Sequence, residues 1–160
     1  MSYDDEISIR NAKILYPNFE GRKTDKNPPG QRNFCLVLEQ GLADRLAKEG
    51  WNIRQTKIHE EGDIPDLYTQ IRVNFDPERR PPTVVLIDAV GRKIKLDASS
   101  CHILDTAEIK KVDVVINPHH WNMNGNSGIK GYLKSIYVTL RPEDFGGEYS
   151  DVPSFPANGV

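Results

Sequence analysis

The sequence predicts a mainly β protein: an OB-type antiparallel β-barrel with one short α-helix, long loops and an extended acidic C-terminal tail. Three observations carry this. Most apolar runs are short and either continuous or alternating residue by residue, as strands are. Only residues 42–50 repeat their apolar positions at helical spacing. Turn-forming pairs separate adjacent strand-like runs, above all Asn124-Gly125. At 160 residues the chain is one domain, long enough to bury a core without disulfides or metals. An immunoglobulin-like sandwich is the rival architecture, but it expects more, evenly spaced strands and no helix.

Taken in order, IRNAKILYPNF (9–19) starts as a strand and breaks at Tyr16-Pro17. EGRKTDKNPPGQR (20–32) is a basic Gly/Pro-rich loop without apolar period, read as mobile. NFCLVLE (33–39) reads as a buried strand. In LADRLAKEG (42–50), Leu42, Ala43, Leu46 and Ala47 form a helical stripe that Gly50 ends as C-cap. A turn-rich connector, KIHEEGDIPD (57–66), leads to LYTQIRVNF (67–75). There Leu67, Thr69, Ile71, Val73 and Phe75 alternate with Tyr68, Gln70, Arg72 and Asn74. DPERRPP (76–82) is a proline-punctuated loop, and TVVLIDAV (83–90) and KIKLD (93–97) form a hairpin around Gly91-Arg92. ILDTAEIKK (103–111) holds a short helical turn. VDVVINPHHW (112–121) and GIKGYLKSIYVTL (128–140) are strands joined through NMNGNSG. Beyond Leu140, Pro142, Gly146, Gly147, Pro153 and Pro156 read as an extended tail. The division is therefore a body, residues 1–141, and a tail, residues 142–160.

The formal net charge of −2 is unevenly placed. Residues 1–141 hold all 21 Lys and Arg against 19 Asp and Glu, a balance of +2. The tail holds Glu143, Asp144, Glu148 and Asp151 and no base, a balance of −4. No apolar run is long enough to cross a bilayer, so no membrane role is expected. The opening MSYDDEISIR lacks the basic-then-apolar order of a signal peptide, which predicts a protein that stays in a cytoplasm. Cys35 and Cys101 lie far apart on apolar segments and are read as reduced, partly buried thiols.

Two strand faces attract attention. Alternation puts Lys130, Tyr132 and Lys134 on one face of the last strand, with Ile129, Gly131 and Leu133 opposite. A base–aromatic–base row suits single-stranded nucleic acid: the ring stacks on an exposed base while ammonium groups neutralise phosphates. Tyr68 and Arg72 offer a second row with Gln70 between them, and Trp121 in the partner strand extends the platform. The plainer alternative makes Tyr68 and Tyr132 half-buried cross-strand aromatics beside solubilising lysines. The loop cations Arg22, Lys23, Lys26 and Arg32 are further candidates for phosphate contacts, with a solvated surface loop as the alternative. Phe19, at the loop entry, either stacks on a base or anchors the loop. Arg79-Arg80 are weighed likewise, and Trp51 is read as packing against the helix.

Catalytic signatures are missing. His119 and His120 are adjacent on a strand and point to opposite faces, and Cys101-His102 has no second cluster at ligand spacing, so no metal is expected. GNSGIKG (125–131) echoes a phosphate loop without its GxxxxGK[ST] order, and its two GxxG matches lie on a hairpin, not between helices. Neither an enzyme nor a cofactor is expected.

The segments NAKILYPNF, RNFCLVLEQGLADRLAKEGWNIR and INPHHWNMNGNSGIKGYLKSIYVTL, followed by YSDVP, resemble small phage-encoded single-stranded DNA-binding proteins over about residues 8–153. The resemblance implies an OB-type barrel and sequence-independent coating of single strands in phage replication or recombination, in the host cytoplasm. It implies no catalytic residues, and it supports the hairpin around Trp121, Lys130, Tyr132 and Lys134. Relatives often carry an acidic tail that contacts replication proteins; this tail is weaker in charge and ends in PSFPANGV. A possible homo-oligomer is left open by the sequence. The alternatives from other classes are a phage structural or protein-interaction module built on the barrel, and an RNA-binding module.

Overall fold

β-branched and aromatic residues recur through the strands, and the described residues pair into one nine-stranded sheet with one α-helix. The computed structural model describes residues 6–25, 27–58 and 60–142, apart from the Arg79 side chain. The acidic tail beyond Pro142 and the candidate Lys26 therefore lie outside the described residues.

The strands are β1 (Ile7–Ile9), β2 (Ile14–Asn18), β3 (Arg32–Leu38), β4 (Arg54–Gln55), β5 (Leu67–Val73), β6 (Thr83–Ile87), β7 (Lys93–Leu96), β8 (Ile109–Met123) and β9 (Asn126–Leu140). Helix α1 (Gln40–Glu49) follows β3. The main order is β1-β8-β9-β5-β3-β2, with β4 on β5, and β6 joining β9 to β7. The two ends of this order are not paired in the described residues, so the sheet is not closed. Two ladders also depart from the antiparallel expectation. Ile71 and Arg72 of β5 run parallel to Gly131 and Tyr132 of β9, and β6 runs parallel to β9 from Thr83↔Ser135 to Ile87↔Thr139. Alternation sets which way side chains face but not which strand lies alongside or in which direction.

Local signals explain the element ends. Asn124 (φ 54°) and Gly125 (φ 84°) make the two-residue turn of the β8–β9 hairpin, both in the left-handed region that a type I′ turn requires. Gly50, at φ 115°, caps α1 by donating to the carbonyls of Leu46 and Ala47. The helix buries Ala43 and Leu46, and Trp51 just beyond it is buried in the core. That core is formed by Phe34, Ile71, Val84, Val114, Ile116 and Ile136, among others. The helical turn expected in 103–111 is a 3-10 turn at Cys101–Asp105. Cys35 and Cys101 are both free and buried.

The loop after β2 is held by asparagine side chains. Asn18 Oδ1 accepts from the backbone N–H groups of Gly21 (3.1 Å) and Arg22 (2.9 Å). Asn27 Nδ2 donates to the carbonyls of Arg22 (3.0 Å) and Gln31 (2.9 Å), and Asn33 Nδ2 donates to Asn27 Oδ1 at 2.8 Å. The Asp105 carboxylate accepts from the N–H groups of Phe19 (2.6 Å) and Glu20 (3.1 Å), tying the loop entry to the 3-10 turn.

Candidate nucleic-acid interface

The face of the sheet turned away from the core is set by the pairing register. On β9, Ile129, Gly131 and Leu133 are buried, which leaves Lys130, Tyr132 and Lys134 on the outer face. On β5, Thr69, Ile71 and Val73 are buried, which puts Tyr68, Gln70 and Arg72 outside. The parallel register sets Arg72 beside Tyr132, and the hairpin register sets His119 opposite Lys130 and Trp121 opposite Gly128. Cross-strand partners share a face. One continuous surface therefore carries Tyr68, Arg72, Trp121, Lys130, Tyr132 and Lys134.

Two concavities mark this surface. A groove of about 1050 Å³ is lined by Tyr16, Cys35, Arg54, Lys57, Tyr68, Gln70, Trp121 and Lys130, among others. A smaller cavity of about 520 Å³ lies further along β9, against Tyr132, Lys134 and His119. Aromatic groups sit at both. Tyr16, 60% exposed with φ at 51°, meets Tyr68 edge-on at 5.8 Å between centroids. Tyr132 meets His119 edge-on at 5.5 Å. Trp121 is 39% exposed, and its ring lies across the Cα of Gly128, where a side chain would collide with it.

The groove lining holds Arg54, Lys57 and Lys130 against one carboxylate, Asp66. Partial burial pushes the Lys130 ammonium below its usual range, and the neighbouring Arg72 guanidinium adds like-charge repulsion. No ion pair to Lys130 or Arg72 occurs among the described residues. The Gln31 amide oxygen, in the orientation that satisfies both groups, accepts from Arg72 Nη2 at 2.8 Å. By contrast, the lining carboxylates are matched already: Asp66 accepts from Lys13 Nζ at 2.9 Å, and Glu6 pairs with Lys134. Arg54 and Lys57 line the same groove as Lys130. Cys35 lies in the groove floor, where burial raises its thiol to about 11 despite the attraction of Arg54.

Not every candidate belongs here. Phe19 is fully buried and stacked on Phe34 at 5.4 Å, so it anchors the loop and offers no ring to a base. Arg32 is turned inward: its Nη1 donates to the Phe19 carbonyl at 2.6 Å, and its guanidinium lies 5.5 Å from the Phe75 ring centre. That places it among the contacts that hold the loop. Arg22 folds back onto Asn18 Oδ1 and the Pro17 carbonyl, both at 3.4 Å, and Lys23 is exposed; neither lines the two concavities. Conversely, Arg54, Lys57 and Tyr16 line the site although their sequence context gives them no binding role, and His119, a candidate only for metal, lines it too. Arg54 and Lys57 sit in a segment without alternation, so only the β4–β5 pairing of Arg54 with Tyr68 reveals the neighbourhood. Among the described residues no three His, Cys, Asp or Glu side chains gather as metal ligands, and no helix is long and apolar enough to cross a membrane.

Residues 2–159 match the family described as "Putative phage ssDNA-binding domain". The chain belongs to this phage single-stranded DNA-binding domain family. Among solved structures, the fold is similar to the single-stranded DNA-binding protein of bacteriophage Enc34 in complex with ssDNA. That pair has a TM-score of 0.55 and 12% identity, covering 86% of this chain and 88% of the other. A C-terminally truncated form of the Enc34 protein gives a TM-score of 0.51 at 13% identity, over 86% of this chain and 87% of the other. At these identities the likeness speaks for the phage-SSB fold rather than for individual contacts. No curated protein sequence matches the chain.

Proposed function

We propose that this phage protein binds single-stranded DNA along the outer face of β5, β8 and β9, without catalysis or cofactor, during phage replication or recombination in the host cytoplasm. The observation that carries this is the pair Lys130 and Arg72: two cations held together on a half-buried face beside Tyr132, with no carboxylate paired to either among the described residues. Folding leaves that repulsion standing, and a backbone phosphate removes it. Tyr68, Trp121 and Tyr132 then present rings to unstacked bases, which a duplex keeps inside its stack. We read the sheet as a partly open OB-type barrel, because β9 changes partner along one edge, from β5 to β6, as a strongly curling sheet does.

The test is substitution on this face, with binding to an oligo-dT strand followed by anisotropy. Tyr132→Ala loses about 1–3 kcal/mol of binding. Lys130→Ala flattens the dependence of log K on log salt by somewhat less than about one unit. Unchanged affinity and slope in both folded variants would remove this face from the binding surface.

A further inference from the structure

The smaller cavity sits at a fork in the sheet. Along one edge, β9 pairs with β5 as far as Tyr132 and with β6 from Ser135 onward. Leu133 and Lys134 have no strand partner on that side, and the cavity opens there. A register shift in the β8–β9 ladder at the same point makes Lys134 the extra residue of a bulge. The fork is thus a gap in the platform, directly beside the Tyr132 ring.

Its walls are rich in hydrogen-bond donors. Asn74 lines the cavity with its Oδ1 already accepting from the Asp76 N–H at 2.9 Å, so its Nδ2 is the group left to donate. Arg80 and Lys134 supply cationic donors, and Thr83 a hydroxyl. The lining also holds the Asn117 amide, and its two cations face one carboxylate, Glu6, which is already paired with Lys134. Tyr132 and His119, meeting edge-on, form an aromatic wall. The volume of about 520 Å³ is ample for one base of either ring size and lies within the roughly 300–1,000 Å³ of small-molecule sites.

We propose that this cavity takes a single nucleobase turned out of the bound strand, and that its donor-rich walls select the oxo bases thymine and guanine over cytosine and adenine. The proposal rests on the single-strand reading above and refines it. Stacking on the tyrosines is blind to base identity, whereas the fork reads the edge remote from the sugar. There thymine O4 and guanine O6 accept hydrogen bonds, while cytosine N4 and adenine N6 donate them and would meet donors. The protein therefore coats any sequence but carries a preference at one position in each footprint.

The experiment compares dT and dC oligomers of equal length, at neutral pH and low salt, by anisotropy with the full chain. These differ in edge chemistry at constant ring size. One good hydrogen bond predicts dT binding about three- to tenfold tighter than dC. Asn74→Asp keeps the acceptor for Asp76 and replaces the cavity-facing donor by an acceptor. It weakens binding to both oligomers and brings the dT/dC ratio to one or below. Thr83→Val, which suits a strand, removes a second polar group and lowers the ratio without the added charge. Equal affinity for dT and dC in the wild-type protein, or an unchanged ratio in both variants, overturns the selective cavity alone. Binding to neither oligomer overturns the single-strand reading itself.

Discussion

Two glycines three residues apart on β9 face opposite sides of the sheet, and replacing each with alanine separates the binding face from the core. A Cβ on Gly131 meets Ile71 Cδ1 at 2.7 Å, Trp51 Cζ3 at 2.8 Å and Ile116 Cγ2 at 3.0 Å. All three side chains are buried, so none can swing away. Overpacking of this kind costs about 1–3 kcal/mol. The stiffer unfolded chain offsets about 0.4–1 kcal/mol of it. The middle of each range, about 2 less about 0.7 kcal/mol, leaves a net loss of about 1.3 kcal/mol, which lowers Tm by roughly 3–5 °C in a chain of this size. A Cβ on Gly128 meets Trp121 Cζ2 at 2.8 Å and Cε2 at 2.9 Å, but Trp121 is partly exposed and its ring moves aside. Gly128→Ala thus leaves Tm within about 2 °C. It displaces the ring from the platform and weakens single-strand binding at least about fivefold, the low end of a stacking contribution. Thermal melts by circular dichroism and an anisotropy titration on both variants read this out. Gly131→Ala with an unchanged Tm, or Gly128→Ala with unchanged affinity, would refute the assignment of these two faces.

The other expectations concern charge. Lys130 is pushed down in the free protein, chiefly by burial and then by Arg72, so a phosphate that settles beside it raises its proton affinity again. Binding then takes up protons in the alkaline range below 10.5, and affinity falls as pH rises through that window; Lys130→Met abolishes this part of the pH dependence. The sign for folding is the reverse. The charged lysine opposes the folded state at neutral pH, and the penalty fades as pH approaches 10.5, so Lys130→Met does not destabilise the protein at pH 7 in a thermal melt. Glu6→Gln frees Lys134 from its ion pair, which tightens binding modestly and steepens the salt dependence by up to about one unit. A flatter slope in that variant would place Lys134 outside the strand's path.

Much of this arrangement is legible in the residues because it is local. Alternation in 67–75 puts Tyr68 and Arg72 on one face of their strand, and alternation in 128–134 does the same for Lys130, Tyr132 and Lys134, since the strand period of two follows from backbone geometry. Asn124-Gly125 and Gly50 mark a turn and a cap through the positive φ that asparagine and glycine tolerate best. What is hidden is long-range. Nothing local tells β9 to run parallel to both β5 and β6, and that double pairing creates the fork. Phe19 sits among polar loop residues, yet its burial depends on Phe34, fifteen positions away, and on Asp105, which holds its N–H. Arg32 looks like its neighbouring loop cations until the Phe19 carbonyl and Phe75 come within reach. The Asn18 and Asn27 networks belong to the same class: a polar loop spells out its donors and acceptors but not their partners.

The most direct test of the whole account uses the chain's own fluorescence. There are two tryptophans, Trp51 buried beneath β9 and Trp121 on the groove wall. Titration with an oligo-dT strand and with a duplex of matched length, each at low and high salt, should quench Trp121 on single strands at micromolar protein or below. The quenching should weaken as salt rises and be absent from a Trp121→Phe variant. No quenching and no binding on oligo-dT at micromolar protein, or a preference for the duplex, would contradict the account.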